Sequence, residues 1–202
     1  MTLVGEAFFA RPVVEVARDL LGRRLRHGLV ELRITEVEAY LGPHDTAAHS
    51  RSGRTARNAA MWGPVGRAYV YRCYGLHQML NLVAGSPGGG AAILIRSAEV
   101  VAGAELVAAR RGGRTGADAV AGPGKVAAAL AIDRAFDHHP VFEPEGLELH
   151  VGEPVDAALV GPRVGIGYAA PADRDADLRF AIAGTRAVTQ RRSLRSPPDR
   201  KG

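Results

Sequence analysis

The stretch Val30-Glu31-Leu32-Arg33-Ile34-Thr35-Glu36-Val37-Glu38-Ala39-Tyr40 decides how this chain is built. Val30, Leu32 and Ile34 alternate with Glu31, Arg33 and Thr35, and a period of two marks a strand with one face in a core. Extending the apolar face by twos beyond Ile34 brings up Glu36, Glu38 and Tyr40, so carboxylates stand where the inward face should continue. Two readings are open. Either the strand leaves the core there, or is shifted by a bulge, and both acids are solvated; or one acid is a partly buried general base close to an aromatic wall, where desolvation and neighbours tune its pKa.

Outward from this strand, Gly42-Pro43 ends the extended run, and Asp45 to Gly66 reads as a long polar, Arg-rich loop with one short helical turn. Loops of that length in compact domains are usually functional or disordered. Ala68–Cys73 and Met79–Ala84 read as strands joined around Gly75, and Ala91–Ile95 as a further strand after the Gly-rich turn Ser86–Gly90. Short links make these an antiparallel meander. Upstream, Ala7–Leu21 carries Val13, Val16, Ala17, Leu20 and Leu21 at helical spacing with Gly22 as a stop. Downstream, Ala102–Arg111 and Val126–Ile132 read as helices, and Leu147–Val151, Arg163–Ile166 and Leu178–Ile182 as strands. Strands and helices mix without a regular βαβ alternation, which predicts an α+β fold with a largely antiparallel sheet.

A chain of 202 residues, 47% of them apolar, is near the size of one domain and can bury a core without staples. Its single cysteine, Cys73, excludes an intrachain disulfide. No apolar run approaches the roughly 18 to 20 residues of a membrane span, and Met1–Ala10 lacks the look of a signal peptide. The expectation is a soluble, cytoplasmic protein, nucleoid-associated if bacterial. The formal charge of +5 is uneven. Arg191, Arg192, Arg195, Arg200 and Lys201 against Asp199 put 5 − 1 = +4 into residues 191–202, read as a basic, flexible tail behind a domain of residues 1–190. Thr46 to Ala98 contains no Asp or Glu and six arginines, Arg51, Arg54, Arg57, Arg67, Arg72 and Arg96. An unopposed run of that kind points to a polyanion partner rather than an ordinary charged surface.

Tyr69, Tyr71 and Tyr74 fall within six residues. Tyr69 and Tyr71 share a face, whereas Tyr74 has the opposite parity beside Gly75, so one set can line a pocket while the other projects outward. Beside unopposed arginines, rings that stack on bases and cations that contact phosphates become the stronger reading over plain core packing. Gly122-Pro123-Gly124-Lys125 before a helix could offer backbone N–H groups and an ammonium to a phosphate, although it lacks the spacing of a Walker loop. Seven histidines include His138-His139, but no Cys pair and no HExxH spacing accompany them, so no metal site is expected. No GxSxG elbow occurs, and Cys73 has no evident base partner.

At these residues the sequence resembles the alkyladenine DNA glycosylases, also called methylpurine-type 3-methyladenine DNA glycosylases. Glu36-Val37-Glu38-Ala39-Tyr40-Leu41-Gly42-Pro43, continued by Asp45, Ala47-Ala48-His49-Ser50 and Arg57-Asn58, is similar to that family's central signature. Tyr69-Val70-Tyr71, Tyr74-Gly75, Asn81, Ile93-Leu94-Ile95-Arg96, Gly122-Pro123-Gly124-Lys125 and Arg163-Val164-Gly165-Ile166-Gly167 keep the family's order. The resemblance runs from Phe8-Phe9 to Leu178-Arg179-Phe180. It implies a single α+β domain with a curved, mostly antiparallel sheet, surrounding helices and a protruding β-hairpin. It also implies a monomer that acts on double-stranded DNA containing damaged purines, flips the base out and hydrolyses its N-glycosidic bond without a cofactor.

By the same resemblance Glu38 activates the water, and Tyr40, His49 and Tyr71 line the flipped-base pocket. Asn81 is the floor residue that collides with the amino group of normal guanine, and Arg96 helps hold the water and the backbone near the lesion. Tyr74 fills the vacated stack, and Gly124, Lys125, Arg54 and Arg57 contact phosphates. His44 stands where vertebrate members commonly have an acid, Gly124 where they have a serine and Leu76 where a methionine follows the inserted tyrosine; these departures bear on lesion preference more than on chemistry. Two rival activities have distinct signatures. A bifunctional glycosylase/lyase needs an amine nucleophile, and only Lys125 and Lys201 could supply one. A non-enzymatic DNA-binding module leaves Glu38 without a role.

Overall fold

The computed structural model describes residues 2–155 and 157–197. In chain order the elements are α1 (Val13–Leu20), β1 (Arg24–His27), β2 (Val30–Tyr40), β3 (Ala68–Cys73), β4 (His77–Val83), β5 (Ala92–Ala102), α2 (Ala104–Arg110), α3 (Gly116–Val120), α4 (Pro123–Ala129), β6 (Leu147–His150), β7 (Ala158–Gly161), α5 (Pro171–Arg174) and β8 (Arg179–Ile182). All eight strands join one sheet, every pairing antiparallel, in the order β3-β4-β5-β2-β1-β6. The fold is single-domain α+β with an open, curved sheet.

β2 is the spine of that sheet. One edge pairs with β5 along its length, and the other divides between β1 at Val30–Arg33 and β8 at Glu36–Glu38. β8 then pairs with β7. The fork coincides with paired irregularities. Ile34 opposes Ala98, Glu36 opposes Ser97 and Val37 opposes Ile95, so Thr35 is the extra residue on β2 and Arg96 the extra residue on β5. Bulges of this kind re-aim side chains. Val30, Leu32 and Ile34 share the main core with Val37 and Ala39, so the alternation changes phase between Ile34 and Val37. Glu36, Glu38 and Tyr40 therefore face the opposite side. The bulge foreseen as one outcome is present, yet neither acid is solvated, because both glutamates are fully buried.

The main core joins Leu32, Ile34, Val37, Leu80, Ile93 and Ile95 to Phe9 and to apolar residues of α1, α3 and α4. Full burial of one such aliphatic side chain stabilises by roughly 1.5–3 kcal/mol. The helix expected from Ala7 begins only at Val13, because Pro12 occupies its N-cap and leaves Glu6–Phe8 as a separate 3-10 turn. The strand expected at Arg163–Ile166 is a loop, and the neighbouring strand is Ala158–Gly161. The backbone there is diverted from a ladder: the Val164 amide donates to Glu38 Oε1 at 2.7 Å and Gly165 turns at φ 76°. β1 was not expected; its four residues Arg-Leu-Arg-His carry a single apolar side chain.

The tail expected from Arg191 is fastened over its first residues. Arg191–Ser193 form a 3-10 turn, Arg195 pairs with Val160 through its backbone, and its side chain binds Asp177 at 2.6 Å. Residues 198–202 lie outside the described residues. No helix among the described residues is long and apolar enough to cross a membrane.

Candidate active site

On the face opposite the main core, two small apolar clusters flank an opening. Ala60, Met61, Tyr69, Val83 and Ala92, with Tyr71 beside them, form one, and Ala47, Ile166 and Ala169, with Tyr40, form the other. Between them lies a cavity of about 520 Å³, enough for a purine-sized ligand. Tyr40, His49, Tyr71, Asn81, Arg96 and Tyr74 all line it. Two loops roof this face. Gly42 turns the first at φ 100°, where a Cβ would stand 2.6 Å from the Gly89 carbonyl oxygen, so the Gly42-Pro43 stop is also a close crossing of backbone. Asp45 then ties this loop to the second: it accepts from the backbone of Leu41 and Ala47 and from Arg163 Nη2 at 2.9 Å.

Glu38 sits immediately behind the cavity wall with no exposed surface. Its Oε1 accepts from the Val164 amide at 2.7 Å and faces Arg96 Nη1 at 3.1 Å. Its Oε2 accepts from the Tyr40 hydroxyl at 2.9 Å. Burial raises its pKa above the ordinary glutamate value, and Arg96, the Val164 amide and Tyr40 pull it back. Charge is balanced over the cluster. Arg96 spans Glu38 and Glu36, and the fully buried Arg179 donates to Glu36 at 3.1 Å. Two carboxylates and two guanidiniums thus share one buried cluster, and opposite charges at this range favour the ionised form of each.

Glu36 is saturated rather than reactive. It accepts from Arg96, Arg179, the Ser97 hydroxyl, and the Thr189 amide and hydroxyl. The two acids that the strand pattern offered as equals are therefore distinct: Glu36 anchors the cluster, and Glu38 borders the cavity lining through Tyr40, Arg96 and Val164.

The aromatic wall is tightly coupled. The His49 ring packs edge-on against Tyr71 at 4.5 Å between centroids, and its Nδ1 bonds the Tyr69 hydroxyl at 2.8 Å. Burial together with Arg57 and Arg51 lowers the His49 pKa to about 4, so the imidazole is neutral at physiological pH. Burial pushes Tyr69 up to about 12 and Tyr71 higher still, so all these hydroxyls keep their protons. Arg163 lies over the Tyr40 ring at 4.7 Å. Asn81, paired with Tyr69 across the β3–β4 ladder, donates from Nδ2 to the Tyr69 carbonyl at 3.1 Å.

The hairpin tip extends this wall to the rim of the cavity, where Tyr74 borders the opening and stands in solvent. Tyr74 is 93% exposed and Leu76 79%, and the turn closes with the Leu76 amide donating to the Cys73 carbonyl at 3.0 Å. Tyr74 and Gly75 have φ of 50° and 70°, the mirror-image hairpin geometry that favours Asn-Gly. Arg57 reaches over the Tyr71 ring at 5.7 Å, and Arg54 is exposed on the same loop. Gly124 lets α4 press on the hairpin, since a Cβ there would meet His77 Cβ at 2.9 Å. Pro123 borders the cavity, while Lys125 is not part of its lining.

Sequence reasoning missed the Val164 amide, the Arg163–Asp45 clasp and Thr189. The first two belong to the Arg163-Val164-Gly165-Ile166-Gly167 segment and to Asp45, whose unusual glycine spacing was visible although its role was not. Thr189 carried no signal.

Residues 7–186 match the family description Methylpurine-DNA glycosylase (MPG). A protein of Nitrosococcus oceani named as a 3-methyladenine DNA glycosylase is 53% identical over 95% of this chain and 96% of its own length. A DNA-3-methyladenine glycosylase of Arabidopsis thaliana is 48% identical over 98% of this chain and 78% of its own. A similarly named protein of Methanocella arvoryzae is 42% identical over 84% of this chain and 87% of its own length.

Proposed function

The chain belongs to the methylpurine-DNA glycosylase family, and from that premise we propose that it is a monofunctional base-excision enzyme which flips damaged purines out of duplex DNA and hydrolyses their N-glycosidic bond with a water activated by Glu38. The observation that carries this reading is the setting of Glu38: a buried carboxylate held by Arg96, Tyr40 and the Val164 amide directly behind an aromatic cavity.

The chemistry follows from the groups present. As the C1′–N bond breaks, positive charge develops on the sugar. An ionised Glu38 stabilises that charge and takes a proton from the attacking water. Oε2 has Tyr40 as its one protein partner among the described residues, which leaves a lone pair for that water. An alkylated purine is cationic, and the faces of Tyr40 and Tyr71 attract it. Neutral His49 can donate or accept at the base edge, Asn81 closes the floor, and Arg96 fixes Glu38. Tyr74 occupies the stack that the base leaves, which offsets part of the few kcal/mol that extrusion costs. Arg54, Arg57 and Lys125, with the backbone at Gly124, contact phosphates, and the enzyme works as a monomer on double-stranded DNA without a cofactor. A Schiff-base lyase fits less well, because the cavity lining contains no lysine among the described residues.

Glu38→Gln keeps the shape of the side chain and removes the proton acceptor. It should abolish release of 3-methyladenine while leaving affinity for lesion DNA within about tenfold. Retained excision would transfer the base role away from Glu38. In the parent enzyme the rate should fall as pH drops through a value above the ordinary glutamate range, since burial raises the Glu38 pKa and only the ionised form accepts a proton.

A further inference from the structure

Beyond Ile182 the chain folds back over the buried charges as a strap. Ala187 accepts from the Thr35 hydroxyl at 2.6 Å, at the bulge itself. Thr189 reaches the charge cluster itself: its amide donates to Glu36 Oε2 at 2.8 Å, its hydroxyl donates to Glu36 Oε1 at 2.8 Å, and it accepts from Arg96 Nη2 at 3.0 Å. Ser193 then meets Arg179 Nη2 at 2.6 Å. These contacts fall beyond residue 186, where the family match ends.

Resting on the proposed role of Glu38, we infer that Thr189 is a positioning residue for the general base, acting through Arg96. Arg96 has three directions of attachment: Nε to Glu36, Nη1 to Glu38 and Nη2 to Thr189. The Thr189 hydroxyl fixes the last and so fixes where the guanidinium points Nη1. Without it a buried N–H loses its acceptor, and the plane of Arg96 is free to turn toward Glu36. The charged and titratable groups around Glu38 are Glu36 and Tyr40 on its own strand, Arg96 on β5, Tyr71 on β3, Arg163 on the roofing loop and Arg179 on β8. Of these, Arg96 forms the direct ion pair with Glu38, so loosening it withdraws the main force that opposes desolvation.

The experiment is the pH profile of single-turnover excision of 7-methylguanine from duplex DNA by the parent, Thr189→Val, Thr189→Ser, Ser193→Ala and Glu38→Gln, each also unfolded in urea. Thr189→Val should move the acid limb upward by about half a unit or more, because a weakened cationic partner raises a carboxylate pKa; its rate defect grows as pH falls and nearly vanishes on the alkaline plateau. Thr189→Ser should restore the limb. Ser193→Ala, which touches Arg179 but not Arg96, should lower stability with the limb unmoved. If Thr189→Val is only less stable, with its limb coincident with the parent's, or if Ser193→Ala moves the limb equally, the positioning role is overturned. Should Thr189→Val fail to fold, a serine variant whose limb departs from the parent's would equally refute hydroxyl-based positioning. Failure of the underlying reading is separately visible, because Glu38→Gln would then retain excision and an acid limb.

Discussion

Tyr74→Asn should make the protein more stable and a worse enzyme. The tyrosine holds φ 50° beside Gly75 at 70°, and a left-handed conformation costs a bulky L-residue about 1–2 kcal/mol, less for asparagine. Little is lost in exchange. With 93% of Tyr74 exposed, only on the order of 15 Å² of a tyrosine's surface is covered, which is ~0.4 kcal/mol at 25 cal/mol per Å². The net gain is therefore about 0.5–1 kcal/mol, or roughly 1–4 °C in Tm for a chain of this size. Against this, losing an inserted ring should cost about 1–3 kcal/mol of the flipping equilibrium, on the order of 5- to 150-fold in single-turnover excision from a stable pair. The defect should shrink for a lesion in a mismatch or a single strand, where unpairing is already done. Thermal unfolding together with excision of hypoxanthine in those three contexts measures both sides. A lower Tm, or equal relative defects in all three substrates, would refute the idea that the turn stores strain for a wedge.

Asp45→Asn should remove about 3 kcal/mol, because it strips a buried Arg163 of its charge partner, and a drop in urea midpoint with the Glu38 acid limb moved upward would report the slackened Val164 loop, whose amide holds the Glu38 pKa down. An unchanged midpoint would mean the clasp is redundant. His49 binds its proton near pH 4 in the fold and near 6.5 when unfolded, so the unfolded state takes up the proton first and stability should decline as pH falls from about 6.5 toward 4. The slope is at most ~1.4 kcal/mol per pH unit before solvent screening. His49→Gln should flatten it, and NMR titration of the ring above pH 6 would contradict the burial argument.

Much of this was readable from residue order. Alternation placed β2 and its anomalous acids raised a catalytic question; the opposite parity of Tyr74 and Tyr71 matches their different exposure, although both residues border the cavity. What the pattern could not resolve was which acid matters. Thr35 and Arg96 each add a residue to their strand, and that change of phase depends on the partner strand, which a single-strand periodicity does not contain. Glu36 and Glu38 look alike until their partners are known, and those partners lie 126 residues away at Val164 and 153 at Thr189. Arg163–Ile166 looked like a strand because its apolar residues alternate, whereas its Val164 amide is given to Glu38 and its chain turns at Gly165.

The distance from Glu36 to Thr189 also sets a schedule. A ribosome adding about 5–20 residues per second needs on the order of ten seconds to cover the intervening 153 residues. During that interval β2 and β5 can already be paired, with Arg96 and Glu36 lacking their last partner. The nascent enzyme is thus a sheet with an unfinished charge cluster, and on the positioning inference its general base is tuned only after the strap emerges. The cluster therefore closes in chain order, first with the Val164 amide, then with Arg179 on β8 and last with Thr189. On the positioning inference, the group that sets the working pH of the site is the last of these three to be made.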